Sequence, residues 1–358
     1  MIYRKSVKLW LALVLPPLTL IALFNYYIDP LWCFSHSNAL NNHQNGFNER
    51  QQKTNRAFFT QMLKNSDSLM LGSSRTAYIN QYDFKDMRVF NYAADNMLPN
   101  EYGEWIEIAK NIKGSGFKNV IIGIDFFATA QNYDAVIDRY YNHKRPKDYL
   151  QNTQEPLYRY KMLFTWDSAK QSFKDVKKSF KPGVSDYDRK NVRRVCIKVS
   201  LRQKKKNIER DIHEYLAPLT EEYVYRSEWP KLLKKLKKEN PGSRFYIFTT
   251  PVSEPFFKKF VIESGHLDDY FRWLRETTSV FGEVYHFMDL NSVTRNLDNF
   301  FDAHHVYGDI DRMIAHRISG YETEKIPKDF GILLTTENID EYEKNFRQKL
   351  SENLLKSR

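Results

Sequence analysis

Two short stretches carry the means to do chemistry. At the end of the apolar run Leu69-Met70-Leu71 stand Gly72-Ser73-Ser74-Arg75. A glycine permits a tight turn out of a strand, and a hydroxyl just after it can project as a nucleophile. A backbone N–H near a helix start can help hold an oxyanion there. A serine needs a base, and "NFFDAHHVYGDIDRMIAHRI", far downstream, supplies one. Asp302 and His305 are three apart at the start of a helix-like run, so one short turn can present both to one site. His305 would take the serine proton, while Asp302 would fix the ring tautomer and stabilise the imidazolium.

Plainer readings stand beside this one. Ser73-Ser74 would also make a turn with a helix N-cap. Arg75 would serve as a surface or phosphate-facing cation, and Asp125, at a strand end, would orient a loop. Asp302, His304 and His305 suggest a metal, but adjacent histidines diverge and no second cluster with ligand spacing is visible. No metal and no cofactor are expected. His286 reads as structural. "GSGFK" lacks the Gly-Lys-Ser/Thr ending of a phosphate loop and precedes a strand, so it is set aside.

The elements that must position these residues follow a simple rhythm. Short apolar runs at 69–71, 88–91, 119–125, 245–249 and 284–289 read as strands. Helix-like stretches at 48–64, 100–113, 229–239, 254–280 and 305–318 accompany them. The alternation predicts an α/β fold, a parallel sheet with helices on both faces. Ligands of such sheets bind outside the carboxyl ends of the strands, where Ser73-Ser74 fall. Residues 130–225 break the rhythm and read as a basic, helical insertion. Residues 327–358 read as a polar, partly helical tail.

Residues 7–28, "VKLWLALVLPPLTLIALFNYYI", are long and apolar enough to span a bilayer. Arg4, Lys5 and Lys8 lie at the front, and no Lys or Arg follows until Arg50. This predicts a cytoplasmic residue 1–6 segment, a span, a linker over 29–47 and an extracytoplasmic domain over 48–326. A cleaved signal peptide is the main rival, but bulky "NYYIDPLW" offers no small-x-small site. A buried core helix would leave the basic flank unexplained.

The chain has 358 residues, 15% of them aromatic, which excludes disorder. Its net charge is +11. Between Lys170 and Arg210 fifteen basic residues face four acids, so this segment carries the whole excess. An extracytoplasmic location excludes nucleic acid as partner and leaves the cell membrane and anionic glycans. A solvated face is the plain alternative. Two cysteines, far apart, make neither a disulfide framework nor a zinc site.

"LMLGSSRT" and "DAHH" together resemble the first and last blocks of the SGNH/GDSL hydrolases, which read Gly-Asp-Ser and Asp-x-x-His. The resemblance runs loosely over residues 48–318. The anchor, "YIDPLW", "GSSR" and "VIIGIDFF" resemble a membrane-anchored branch. That branch is similar to proteins assisting D-alanylation of teichoic acids and O-acetylation of alginate. The resemblance implies a three-layer, flavodoxin-like domain with Ser74 as nucleophile, in the third position of the block, and Ser73 in place of the aspartate. It implies His305 as base and Asp302 as its partner. Two blocks depart from the family: "FNYAADNMLPNEY" lacks the oxyanion glycine, with Asn96 in its place, and "GIDFF" lacks the asparagine. Asn91 or Asn96 would substitute, with Arg75 and Asp125 at the substrate. The expected activity is acyl transfer to, or ester hydrolysis on, a surface polysaccharide, with a membrane acyl-donor protein as a further partner. A non-catalytic partner in envelope polysaccharide assembly is the alternative.

Overall fold

The computed structural model describes residues 2–135, 144–216, 220 and 223–356. The chain divides into two compact units. One comprises Met1–Asn65, Asn111–Lys113 and Lys144–Lys198, the other Ser66–Lys110, Gly114–His143 and Val199–Arg358. The helices named below are α1 (Ile2–Ile28), α2 (Glu49–Phe59), α3 (Ser74–Ala77), α4 (Tyr102–Lys113), α5 (Trp166–Phe180), α6 (Leu201–Arg210), α7 (Trp229–Glu239), α8 (Leu267–Phe281), α9 (Gly308–Ser319) and α10 (Ile339–Lys356). The strands are β1 (Ser68–Leu71), β2 (Val89–Asn91), β3 (Asn119–Ile124), β4 (Asp186–Tyr187), β5 (Arg193–Arg194), β6 (Arg244–Thr249), β7 (Glu283–His286) and β8 (Ile332–Thr335).

The second unit is built on a six-stranded sheet of order β2-β1-β3-β6-β7-β8. Every pairing is parallel except the last, where β8 runs antiparallel to β7. Met70 pairs with Ile121, and Ile121 with Tyr246. Alternation then sends Met70, Ile121 and Phe248 to one face, into a core with Ile310, Ile314 and Ile318 of α9. Leu69, Leu71, Val120, Ile122 and Ile247 point the other way and are also buried. Buried on both faces, these strands are continuous apolar runs rather than alternating ones, which is why they were readable. Trp105 of α4, Leu233 of α7 and Trp273 of α8 are buried in the helical layer opposite α9. Trp229 Nε1 of α7 donates to Thr277 Oγ1 of α8 at 3.1 Å.

The first unit begins with α1, whose residues Val7–Ile28 have a mean hydropathy of 2.1 and are long and apolar enough to cross a membrane. Its second helix inverts the usual rule. The polar run Glu49–Arg56 of α2 is buried throughout. Buried charges need partners. Lys53 Nζ lies 3.6 Å from Glu49 and 5.3 Å from the centre of the Tyr187 ring. The Arg56 guanidinium sits 4.8 Å over Trp32. Arg189 ion-pairs with Asp29. β4 and β5 form a short antiparallel ribbon.

Asp175, on the inner side of α5, is a test of this polar interior. Its Oδ1 accepts from the Asn45 N–H (3.1 Å), Asn45 Nδ2 (3.0 Å) and Gln171 Nε2 (2.9 Å). Burial nevertheless pushes the carboxyl up to about 7. The folded state therefore holds this proton more tightly than the unfolded chain. The associated stability is full below the unfolded carboxylate value of about 4 and is lost as pH rises through about 7. Asp175→Asn is expected to leave stability near about pH 4 unchanged and to raise it near about pH 8 by up to about 4 kcal/mol. Equal changes at the two pH values, read by thermal melts, would refute the assignment.

The structure corrects the sequence reading in several places. Residues 48–65 belong with the first unit, not with the sheet. The tail over 327–358 is part of the sheet unit, to which it contributes β8 and α10. The stretch 254–280 is not one helix: Gly265, at φ +76°, separates α8 from the helical turns before it. Residues 302–306 precede α9 instead of opening it, because Phe300 and Val306 form a bridge that closes them into a loop. The insertion over 130–225 is largely helical where described; residues 136–143, 217–219 and 221–222 lie outside the described residues.

Candidate active site

Strand order reverses at β1, which lies between β2 and β3, so the crevice of the sheet opens at its carboxyl end. There Gly72 leaves the strand with φ +147°, a conformation that side chains disfavour. Ser73 stands at the N-cap position without a side-chain cap, its carbonyl accepting the Thr76 and Ala77 N–H groups, and Ser74 takes the first position of α3, where the helix itself leaves the N–H unclaimed. Close packing fixes the turn from behind. A Cβ on Gly72 would lie 2.3 Å from Thr76 Oγ1, and one on Gly123 of β3 would lie 2.0 Å from the same atom.

The loop between Phe300 and Val306 supplies the other two groups. The Phe301 N–H donates to His305 O at 3.2 Å, and Ser253 Oγ donates to Ala303 O at 2.6 Å. Asp302 Oδ1 accepts the backbone N–H groups of His304 (2.9 Å) and His305 (2.8 Å). Its Oδ2 lies 2.8 Å from His305 Nδ1. His305 Nε2 lies 2.8 Å from Ser74 Oγ. An ionised carboxylate can only accept, so Nδ1 carries the proton and Nε2 is left to accept from the serine hydroxyl. The ring is held between Phe301, stacked at 5.5 Å and 8°, and Tyr78, edge-on at 5.4 Å.

The electrostatics fit this tautomer. Burial pushes the Asp302 carboxyl up, but the His305 imidazole and the hydrogen bonds Asp302 accepts outweigh it and hold the group well below the usual carboxylate range. His304 is held well below the ordinary imidazole value, first by burial and then by the Arg75 cation. It is neutral and packs 5.4 Å from Phe256, with Nδ1 3.9 Å from Asp211 Oδ2.

Ser74, His305 and Asp302 are thus brought together; of the other four candidates, Asn91, Arg75 and Asp125 are not arranged as expected. Asn91 is no oxyanion donor: its Nδ2 donates to Thr76 O (3.1 Å) and Ile79 O (2.9 Å), bracing the turn around α3. Arg75 and Asp125 do not face a substrate but each other, at 3.4 Å, both nearly fully buried. The Arg75 guanidinium lies 4.2 Å over Phe127, and Thr250 Oγ1 donates to Asp125. Charge alone suggested ligand contact; burial turns it into a brace between the ends of β1, β3 and β6. Asn96 keeps partial exposure in a left-handed turn (φ 52°) that the Ala94 N–H ties to Gly72 O at 3.1 Å.

Sequence reasoning missed Asp211, whose Oδ2 accepts the Ala303 N–H at 3.2 Å, as well as Ser253, Tyr78 and Phe301. No local pattern marks them: Asp211, Ser253 and Tyr78 act on the loop from distant segments, and Phe301, within it, reads as one more apolar residue. His286 is structural as expected: it is buried between Thr249 Oγ1 (3.0 Å) and the Tyr270 hydroxyl (2.8 Å), and burial lowers it to about 3.

Two groups of potential metal ligands converge among the described residues. In Asp302, His304 and His305 the Nδ1–Oδ2 separation of 2.8 Å is that of a hydrogen bond. Two such ligands on a tetrahedral zinc would sit about 3.3 Å apart. In the other unit His43, Asp186 and Cys196 gather, a grouping that sequence distance conceals. Lys178 Nζ, 2.9 Å from Asp186, already matches that carboxylate's charge.

No protein family matches the chain, and no curated protein matches it. The fold and site by themselves define a mixed α/β protein with a Ser–His–Asp line at the carboxyl end of its sheet.

Proposed function

We propose that the protein is a membrane-anchored serine acyltransferase or esterase with an SGNH-like domain, acting on a cell-surface polysaccharide. The observation that carries this reading is the continuous hydrogen-bonded line Ser74 Oγ–His305 Nε2, His305 Nδ1–Asp302 Oδ2, each link 2.8 Å. Ser74 Oγ attacks the carbonyl carbon of an acyl donor as its proton passes to His305 Nε2. The imidazolium, stabilised by Asp302, gives that proton to the departing group, leaving acyl-Ser74. An acceptor hydroxyl then attacks the ester, returns its proton through the same ring and frees Ser74. Transfer and hydrolysis differ only in whether that acceptor is a sugar or water. The Ser74 N–H and Asn96 are the oxyanion donors of this reading. The basic flank of α1 supports an extracytoplasmic domain, and a membrane acyl-donor protein would supply the acyl group.

The buried roles of Asn91, Arg75 and Asp125 favour a second reading, a non-catalytic partner in envelope polysaccharide assembly. An activated aryl ester separates the two. The wild-type chain is expected to gain one acyl group at Ser74 by mass spectrometry. A membrane-impermeant fluorophosphonate is expected to label spheroplasts as well as lysates. Labelling only after lysis would reverse the orientation. A folded wild type that neither acylates nor labels would leave the non-catalytic reading.

A further inference from the structure

α5 carries one face that the first unit leaves largely exposed. Ser168, Ala169, Gln171, Ser172 and Asp175 are buried against the unit. Beside that face Trp166, Phe173 and Phe180 recur every seven residues, so they share one stripe of the helix. They are 62%, 56% and 78% exposed. Large aromatics in such a row are not an ordinary solvent face. Lys170, Lys174, Lys177 and Lys181 run along one flank of the stripe, all exposed. The nearby acid on that side is Asp167, 3.8 Å from Lys170.

What covers the stripe is indicated by where it meets α1. Phe173 lies 4.8 Å, centroid to centroid, from Phe24 near the end of α1. Ser172 Oγ donates to Asn25 Oδ1 at 2.9 Å, and Asn25 Nδ2 donates to Leu163 O at 2.8 Å. The aromatic stripe therefore continues the apolar surface of the span, at the level where the span ends. Aromatic rings beside lysines match the boundary between acyl chains and anionic headgroups.

We propose that α5 lies on the bilayer, its aromatic stripe at the headgroup boundary and its lysines on anionic phospholipid. This gives the first unit a second membrane contact that fixes its orientation on the surface. It rests on reading α1 as a span, but not on which side of the membrane the domain lies.

The test uses the full chain reconstituted in vesicles of phosphatidylethanolamine and phosphatidylglycerol, with Cys196→Ser and buried Cys33 retained. A polarity-sensitive fluorophore is placed by Phe180→Cys, or by Leu13→Cys in the anchor. The Phe180 label is expected to be blue-shifted and quenched by lipids bearing a quencher near the headgroup, the Leu13 label by a deep quencher. Lysine-to-glutamate changes at 170, 174, 177 and 181 should release the helix, as each lysine near an anionic surface shifts the docked ratio roughly fivefold. These exposed changes should leave the melting temperature intact. A deep-quenched Leu13 label with a water-exposed Phe180 label would overturn the surface helix alone. An unquenched Leu13 label would overturn the span itself. A Phe180 label shielded from water yet unquenched by lipid would assign the stripe to a protein partner and overturn the proposal.

Discussion

Ser74→Ala is expected to abolish fluorophosphonate labelling, while Ser73→Ala leaves most of it. The difference follows from position: Ser74 Oγ faces His305 Nε2 at 2.8 Å, whereas Ser73 Oγ lies beside the buried Arg75 at 3.5 Å. His305→Ala removes the base and should cost roughly 10²–10⁴-fold. Asp302→Asn should cost up to about 10⁴-fold, still short of losing the serine. Its carbonyl would keep the two backbone N–H donors, so the amide nitrogen would turn to His305 Nδ1. Because that nitrogen donates, it forces the proton onto Nε2 and removes the base. All variants must keep the wild-type melting temperature. If only one oxyanion donor faces the site, the wild type itself would label slowly, since one such donor is worth about 2.7–4 kcal/mol. Slow labelling that depends on Ser74 still supports the assignment. Labelling that survives Ser74→Ala would sink it.

Removing residues 328–358 should unfold the sheet unit. The deletion takes β8 from the edge of β7 and withdraws the buried Phe330, Leu334, Ile339 and Phe346. Phe330 packs 4.8 Å from Phe287 in the core, and Phe346 lies 5.6 Å from Phe271 and 6.1 Å from Phe257. At about 1.5–3 kcal/mol for each buried side chain, the loss rivals a net stability of about 5–15 kcal/mol. The expected result is loss of the cooperative melt. Phe346→Ala alone should cost about 3–5 kcal/mol and keep the fold. A truncated chain that melts like wild type would mean the strand is an ornament to the sheet.

That strand also marks where sequence reading stopped. The parallel strands announced themselves because each is apolar on both faces. β8 is four residues in a charged tail, and Leu333 is exposed at the edge, so nothing distinguished it from a loop. α2 was legible as a helix, but its polarity carried no sign of burial, and only three-dimensional pairing shows how Lys53 and Arg56 are buried. Ser74, Asp302 and His305 were legible because a glycine at a strand end and an Asp-x-x-His spacing each imply a direction. Asn91, Arg75 and Asp125 have the right chemistry at the right strand ends. Whether such groups point out to a substrate or in to a brace depends on neighbours that no short window contains.

The packing behind Ser74 has a consequence for how this sequence can drift. Thr76 Oγ1 occupies space vacated by two glycines, one on β1's exit and one on β3, and a Cβ at Gly123 would also come within 2.7 Å of Phe248. These positions share one fixed volume, so none can change alone. In diverged homologues a larger residue at 123 should be accompanied by alanine or glycine at 76 and a smaller side chain at 248. Position 72 should stay glycine throughout, because its backbone angle excludes other residues whatever the space. Covariation among 76, 123 and 248 would thus trace the seat of Ser74 even in relatives that had lost the serine itself.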